Sequence, residues 1–463
     1  MINADHPLRR QMGEMINRQR ALAELSVPRY TSYPTAPQFS SGVGAKHYAS
    51  WLSTLPGAAR LSLYIHVPYC AELCHYCGCH TKAVRRRAPI DAYADRLIQE
   101  IELVAAIAGR RSVVHLHWGG GTPSILGAER IEEIFAKLND AFDVAADCEH
   151  AIELDPRYVS PELARALAGI GATRASLGVQ DFTARVQHSI GRVQPFEVVE
   201  RAALTLRERG IDQINLDLMY GLPQQSVDDV RRSAELAAAL DPRRIAYFGY
   251  AHVPWLKPHQ RLIDEATLPG AVERLAQAEA ARRTLVAFGY QAIGLDHFAR
   301  PSDDLALAAR AGRLRRNFQG YTSDQAEVLI GLGASAIGRL PQGFVQNAPD
   351  VGGYARAMAA GRLATTKGIA LSEDDRIRGR IIERLMCDFS VDLAAVGGER
   401  GADAGGGFAA EIEALAPLAA EGLVVLAENR VTVSESGRPF VRLAAAAFDA
   451  YLAQARARHS LAV

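Results

Sequence analysis

From Leu61 onward, short runs rich in β-branched and aromatic residues alternate with longer stretches of helical period. No other feature narrows the fold as far, because a strand that rejoins its sheet through a helix runs parallel to its predecessor. Six such runs can be read: Leu61 to Val67, Val113 to Trp118, Ala151 to Leu154, Arg174 to Val179, Ile214 to Met219 and Ile245 to Tyr250. Helix starts lie between them. Ser160 precedes Pro161 at a first helical position, and Ser226 stands three residues before Asp229, as in a capping box. Six successive βα units fit an incomplete barrel or a doubly wound sheet.

The flanks break this rhythm. Residues 1 to about 45 read as an arm ending in PRYTSYPTAPQFS, whose prolines and serines predict an ordered loop. Helical stretches at Leu268 to Phe288 and Asp304 to Leu314 lead to a strand-like run, VLIGLGASAIG. From about Leu371, two helical segments, SEDDRIRGRIIERLMCDF and FAAEIEALAPLAAEG, precede a hairpin in LVVLAENRVTVSESGRPFVR, an order that is winged-helix-like. GGERGADAGGG reads as a surface loop. The chain thus divides into an arm (1–45), a barrel domain (46–360) and a mainly helical C-terminal domain (361–463).

Composition removes whole classes of function. Of 463 residues, 49% are hydrophobic and 22% charged, which excludes a disordered chain. Lys+Arg and Asp+Glu both number 52, so no global field draws in nucleic acid or an anionic membrane. The start, MINADHPLRRQMGEMINRQR, has no apolar signal core, and no run reaches the roughly 18 apolar residues of a span. A cytoplasmic protein is expected.

The six cysteines sharpen this. Cys70, Cys74, Cys77 and Cys79 fall within ten residues, whereas Cys148 and Cys387 stand alone. A disulfide framework would spread them, so the cluster reads as a metal site. CxxxCxxC places three thiolates on one tight loop, enough for three irons of a 4Fe-4S cube with the fourth left open. The alternative is a four-cysteine zinc site, but Gly78 alone separates Cys77 from Cys79, too little slack for easy tetrahedral closure. Cys79 is then a neighbour of the cluster or a packing residue.

The motifs LYIHVPYCAELCHYCGC, HWGGGTPS, LGVQDF, NLDLMYGLP, RRNFQGYTS and PRYTSYPTA, spread over about Arg20 to Leu452, resemble those of one radical S-adenosylmethionine family. That family is the oxygen-independent coproporphyrinogen III oxidases of heme biosynthesis. The resemblance implies an incomplete (βα)6 TIM-like barrel and a 4Fe-4S cluster on Cys70, Cys74 and Cys77, with S-adenosylmethionine chelating the open iron. It implies a 5′-deoxyadenosyl radical that takes hydrogen from a propionate β-carbon. Two decarboxylations then turn coproporphyrinogen III into protoporphyrinogen IX. A low-potential donor such as flavodoxin or ferredoxin is the implied partner, and a monomer is expected.

Reactive groups in parallel barrels gather where strands end. Read from periodicity, the cysteines follow strand one, Gly119 to Thr122 follow strand two, and Glu153 ends strand three. Gln180 follows strand four, Asp217 lies late in strand five, and Ala251 follows strand six. The glycines of GGGTP would let backbone approach a ligand. By resemblance, Tyr64, Tyr76, Gly120, Glu153 and Ile337 contact the first S-adenosylmethionine. Gly121, Thr122, Gln180, Arg192, Asp217 and Ala251 match the lining of a second S-adenosylmethionine position, where Arg192 and Asp217 suit the two ends of a zwitterion.

His66, His115 and His117 read as core or rim histidines with satisfied nitrogens, and Arg85 to Arg87 as a solvated face. Arg315 and Arg316, with Arg313 beside them, are offered as a clamp for the substrate's propionates, because guanidinium forks match carboxylates. One rival is a heme chaperone paralogue with the same cysteine loop. Such paralogues generally lack the PRYTSYPTA arm and the CGC ending, and both are here. Leu443 departs from the family pattern, which has Asn in the closing helix.

Overall fold

A computed structural model describes residues 20–397 and 407–452. Each of the six runs forms a strand: β1 (Leu61–Val67), β2 (Ser112–Gly120), β3 (Asp143–Leu154), β4 (Arg174–Gln180), β5 (Gln213–Tyr220) and β6 (Arg244–Gly249). All neighbours among them pair in parallel. The helix starts hold as well: Ser160 accepts from Leu163 N–H, and Ser226 closes a reciprocal box with Asp229. β3 begins eight residues before the predicted run, because most of its first half is solvated and carries no apolar signature.

Five strands complete one edge and the other: β7 (Gln291–Ile293), β8 (His297–Ala299), β9 (Val328–Leu332), β10 (Ile337–Leu340) and β11 (Gly343–Asn347), with β12 (Thr365–Ala370) outermost. The order is β12-β11-β10-β9-β1-β2-β3-β4-β5-β6-β8-β7. The strand-like run VLIGL is therefore a seventh parallel strand beside β1, in register from Leu61 opposite Val328 to Ile65 opposite Leu332. It is buried throughout. Glu149 on β3 and Arg244 on β6 approach to 3.7 Å, although three strand spacings, roughly 14 Å, separate them in a flat sheet. The sheet must curl. This α/β architecture, with its run of parallel strands, is consistent with a partial barrel.

The predicted helices appear as Ala271–Ala287, Asp304–Arg310 and Glu373–Asp388, while FAAEIEALAPLAAEG breaks into Ala409–Ala414 and Ala416–Ala420 next to Pro417. The hairpin Val424–Ala427/Arg430–Val433 gains a third strand, Ser390–Asp392. The expected loop at 398–406 lies outside the described residues, as does the arm before residue 20. The rest of the arm opens on helical residues 20–23 and continues as an ordered segment with a short 3-10 turn, Ala36–Gln38, in PRYTSYPTAPQFS. Its Ala23, Val27, Tyr30 and Tyr33 share a hydrophobic cluster with Ile381, Leu385, Val441 and Phe448 of the C-terminal part. The arm is thus packed onto the tail. Leu443 is 8% exposed in that cluster, an apolar environment that accounts for an apolar residue there. No helix among the described residues is long and apolar enough to cross a membrane.

Candidate active site

The cysteine loop leaves the end of β1 and is closed at its base by a short parallel ladder, Tyr69 opposite Lys82 and Cys70 opposite Ala83. Inside it, His75 N–H donates to Ile190 O at 3.0 Å. Donors converge on the sulfurs. Thr122 Oγ1 donates to Cys70 Sγ at 3.4 Å, Thr81 Oγ1 lies 3.3 Å from the same sulfur, Cys79 N–H reaches Cys77 Sγ at 3.4 Å, and Arg192 Nη1 reaches Cys74 Sγ at 3.7 Å. The Cys77 thiol is pulled down to about 7, first by the Cys79 side chain, against the cost of burial. Burial pushes Cys70 up, with Thr122 and Thr81 opposing it. Cys148 and Cys387 are buried, and desolvation pushes both thiols up, Cys148 to about 12.

Three side chains that hold backbone carbonyls of the loop come from a segment the sequence did not flag. Lys257 Nζ donates to Cys79 O (2.8 Å), His259 Nε2 is paired with Cys77 O (2.7 Å), and Gln260 Nε2 donates to Tyr76 O (2.9 Å) and Ala251 O (3.3 Å). Gln260 is fully buried. LKPHQ carries no motif; its signal was only its place after β6.

The glycines of GGGTP act differently from expectation. A Cβ on Gly119 would lie 2.8 Å from Glu153 Oε1, one on Gly120 2.6 Å from the His66 ring, and one on Gly121 would strike Thr81 and Tyr69 O. They make room for the protein itself, letting the turn run directly beneath the cysteine loop. Gly121 N–H and Thr122 N–H then donate to Val67 O and Tyr69 O. That places Thr122 on Cys70.

Glu153 sits beside this turn, accepting from Gly120 N–H (3.2 Å) and paired with His117 Nε2 (3.1 Å). Burial works against its charge, but His117 and Gly120 hold its carboxyl below the usual range. Tyr64 stacks on His117, its hydroxyl 3.0 Å from His66 Nδ1. His66 Nε2 meets His80 O, and His115 Nε2 meets Glu149, so the histidines do have partners. Tyr64 lies opposite Gly331, where a Cβ would be 2.6 Å from Ile337 O, so Tyr64 and Ile337 flank one wall. Tyr76 packs among Val186, Ile190 and Leu222.

Gln180, Arg192 and Asp217 surround Gly178. Arg192 Nη2 donates to Gly178 O at 2.7 Å, and Gly178 lies opposite Asp217 on β5. Gln180, at a register break, has φ 71°, a left-handed conformation costly for a residue with a Cβ. Asp217 accepts from Ser176 Oγ (2.7 Å) and Asn215 Nδ2 (2.9 Å), and desolvation pushes it up to about 6. It lies mid-strand in β5. Arg192 is 3.4 Å from Asp155, which helps keep its charge in place.

The two proposed clamp residues line one cavity but take different partners. Successive residues of a strand point oppositely: Arg315 pairs with Glu383 at 3.3 Å, whereas Arg316 lies over the Tyr321 ring, 4.4 Å from its centroid. Arg313, Arg315, Arg316, Arg339, Arg376 and Arg384 line a cavity of about 690 Å³ between the arm, this hairpin and the helix Glu373–Asp388, together with Glu327, Glu373 and Glu383. None of the cysteines lines it. Arg85 to Arg87 are exposed, with Arg87 on Asp91.

Comparison with known proteins decides the family. Residues 64–237 match the model described as the Radical SAM superfamily, and 371–440 the HemN C-terminal domain. The chain is 50% identical over 445 residues to the oxygen-independent coproporphyrinogen III oxidase of Bradyrhizobium diazoefficiens, covering 95% of this chain and 98% of that one. It is 44% identical to the Paracoccus denitrificans protein of the same name, covering 96% and 98%. The chain belongs to the oxygen-independent coproporphyrinogen III oxidases. Its fold superposes on the Escherichia coli coproporphyrinogen III oxidase, a radical SAM enzyme, with TM-score 0.87 at 37% identity, covering 92% of this chain and 100% of that one.

Radical SAM oxidases hold a 4Fe-4S cluster and S-adenosylmethionine. The donor set here fits a thiolate-bound cluster, since the sulfurs are met by hydroxyl, guanidinium and N–H donors rather than acceptors. Among the described residues no three His, Cys, Asp or Glu side chains converge as ligands of a single ion.

Proposed function

We propose that this oxidase removes carbon dioxide from two propionates of coproporphyrinogen III, leaving vinyl groups and giving protoporphyrinogen IX without oxygen. The reading is carried by the cysteine loop at the end of β1, whose three sulfurs are hydrogen-bonded and which faces a carboxylate rim from β3 and β5. When bound, the cluster and S-adenosylmethionine supply an electron and a 5′-deoxyadenosyl radical able to break an unactivated C–H bond.

The chain's part is holding and excluding. Cys70, Cys74 and Cys77 would hold the cluster, and Lys257, His259 and Gln260 fix the loop that carries them. Glu153, kept ionised by His117 and Gly120, accepts hydrogen bonds from an ammonium group of the first S-adenosylmethionine. Tyr64, Tyr76 and Ile337 wall that position against water. Arg192 and Asp217, with Gly121, Thr122, Gln180 and Ala251, would take a second S-adenosylmethionine; a half-buried Asp217 that forms no ion pair among the described residues suits an ammonium. The winged-helix-like tail serves as a cover, since the arm packs into its core. The enzyme works as a cytoplasmic monomer fed by a low-potential flavodoxin or ferredoxin, and the electron left after decarboxylation goes to an external acceptor.

Anaerobic reconstitution, then incubation with reductant, S-adenosylmethionine and coproporphyrinogen III, tests this. Protoporphyrinogen IX and 5′-deoxyadenosine are expected from the wild type and neither from Cys74→Ser. A wild type that forms neither product, or a C74S variant that keeps activity, contradicts the reading. A heme chaperone would bind heme and leave the porphyrinogen unchanged.

A further inference from the structure

Four guanidinium groups meet where the arm, the hairpin Arg315–Asn317/Gly320–Thr322 and the helices Ala271–Ala287 and Val441–Ala446 close over the ends of β5 and β6. Two of them face backbone. Arg442, 5% exposed, donates to Val27 O (2.5 Å) and Pro28 O (3.0 Å), fixing the arm. Arg274 donates to Tyr250 O at 2.9 Å and lies over the Tyr220 ring.

The other two line the cleft. Arg29 donates through Nη2 to Gly249 O at 2.8 Å, at the end of β6. Its surface is accessible, yet the surrounding protein desolvates it enough to lower its pKa. Arg29 thus keeps solvent access while protein packs around it. Arg316 Nη2 reaches Arg29 O at 3.4 Å, while its Nε and Nη1 are buried without a hydrogen-bond partner among the described residues.

Charge is unbalanced here. Among the described residues, the carboxylate in electrostatic reach of both Arg29 and Arg316 is Asp296, and His297 Nδ1 already holds it at 2.8 Å. Guanidinium donors left in a desolvated cleft cost free energy that an anion relieves. A carboxylate matches the fork geometry and charge. The cleft is the one onto which Asp217 faces, since Asp217 and His297 flank Ala246 in register and so share one face of the sheet.

We propose that Arg29 and Arg316 bind one carboxylate of the substrate, a propionate of coproporphyrinogen III, with Arg442 and Arg274 as positioning residues. This rests on the function proposed above. It replaces the pair adjacent in sequence with a pair adjacent in space, one from the arm and one from the hairpin.

The test measures quenching-based affinity of the reconstituted enzyme for coproporphyrin III, an air-stable tetracarboxylate, and for its tetramethyl ester. Arg29→Gln and Arg316→Gln are each expected to raise the Kd for the tetracarboxylate at least tenfold and to leave the ester's Kd within twofold. Arg29→Lys should recover part of the loss, and Arg430→Gln, in the exposed pair with Asp392, should bind as wild type. Because Arg316 also packs on Tyr321, R29Q on the accessible arm keeps the test independent of folding. Unchanged tetracarboxylate affinity in R29Q overturns the clamp, as does an equal loss for the ester. A wild type that binds the tetracarboxylate through Arg29 but converts no coproporphyrinogen would overturn the function and leave the clamp standing.

Discussion

Gln260→Ala should loosen the cysteine loop without unfolding the barrel. The amide donates to Tyr76 O and Ala251 O and accepts from Val253 N–H at 2.6 Å, all at a fully buried position. Truncation removes all three hydrogen bonds and strands at least one carbonyl and one N–H. At about 1–3 kcal/mol for each group left unsatisfied, and allowing water to reach one of them from the cleft, the ordered loop loses about 2–3 kcal/mol. Each 1.4 kcal/mol is tenfold, so an opened loop becomes about 30–150 times more populated. If the cluster leaves through that opened state, its loss to a chelator accelerates by the same factor. Bleaching of the iron-sulfur absorbance under anaerobic chelator, with iron content and far-ultraviolet circular dichroism in parallel, reads this directly. A cluster lifetime within threefold of wild type in a folded Q260A protein would refute the assignment of Gln260 as the loop's anchor.

Gly120→Ala meets two obstacles together, a φ of 111° and a Cβ 2.6 Å from the His66 ring. A loss of at least about 2 kcal/mol in unfolding stability is expected, together with weaker cluster retention; an unchanged melting curve would contradict the packing described for GGGTP. Glu100, 1% exposed, is pushed by desolvation up to about 7 despite accepting from Gly333 N–H, Tyr354 and Asn347. Its folded pKa lies above the unfolded value, so its contribution is whole below about pH 4 and is lost as pH rises through 7, about 3 kcal/mol in all. Wild type should therefore lose stability relative to Glu100→Gln between pH 5 and 8, and parallel stability profiles for the two proteins would remove Glu100 as the cause.

Local signals were legible in the sequence and distant ones were not. Ser160, Ser226 and the alternating runs announce their elements because capping and strand burial depend on neighbours within a few residues. The cysteine spacing is likewise local. β9 lies in a run already strand-like in the sequence, but its place beside β1 had no such cue, since that pairing joins segments far apart in the chain and a five-residue buried run looks alike in any core. The same holds for Lys257, His259 and Gln260, whose role is defined by carbonyls 178 to 184 positions away. Arg315 and Arg316 are adjacent in sequence and line one cavity, yet the strand's alternation gives their side chains different partners, which adjacency alone does not reveal.

The union of arm and tail has a consequence for biosynthesis. The Tyr30 hydroxyl donates to Asp449, 419 positions further on, so Tyr30 and its neighbours in the arm cannot be buried until nearly all of the chain has left the ribosome. At about 5–20 residues per second, Tyr30 and Tyr33 wait on the order of 20–80 s for their partners. A nascent chain can assemble its parallel strands during that interval, but the guanidinium groups of Arg29 and Arg442 cannot meet. The cleft therefore closes as a late event of synthesis, and a prematurely terminated chain carries its cysteine loop under an open roof.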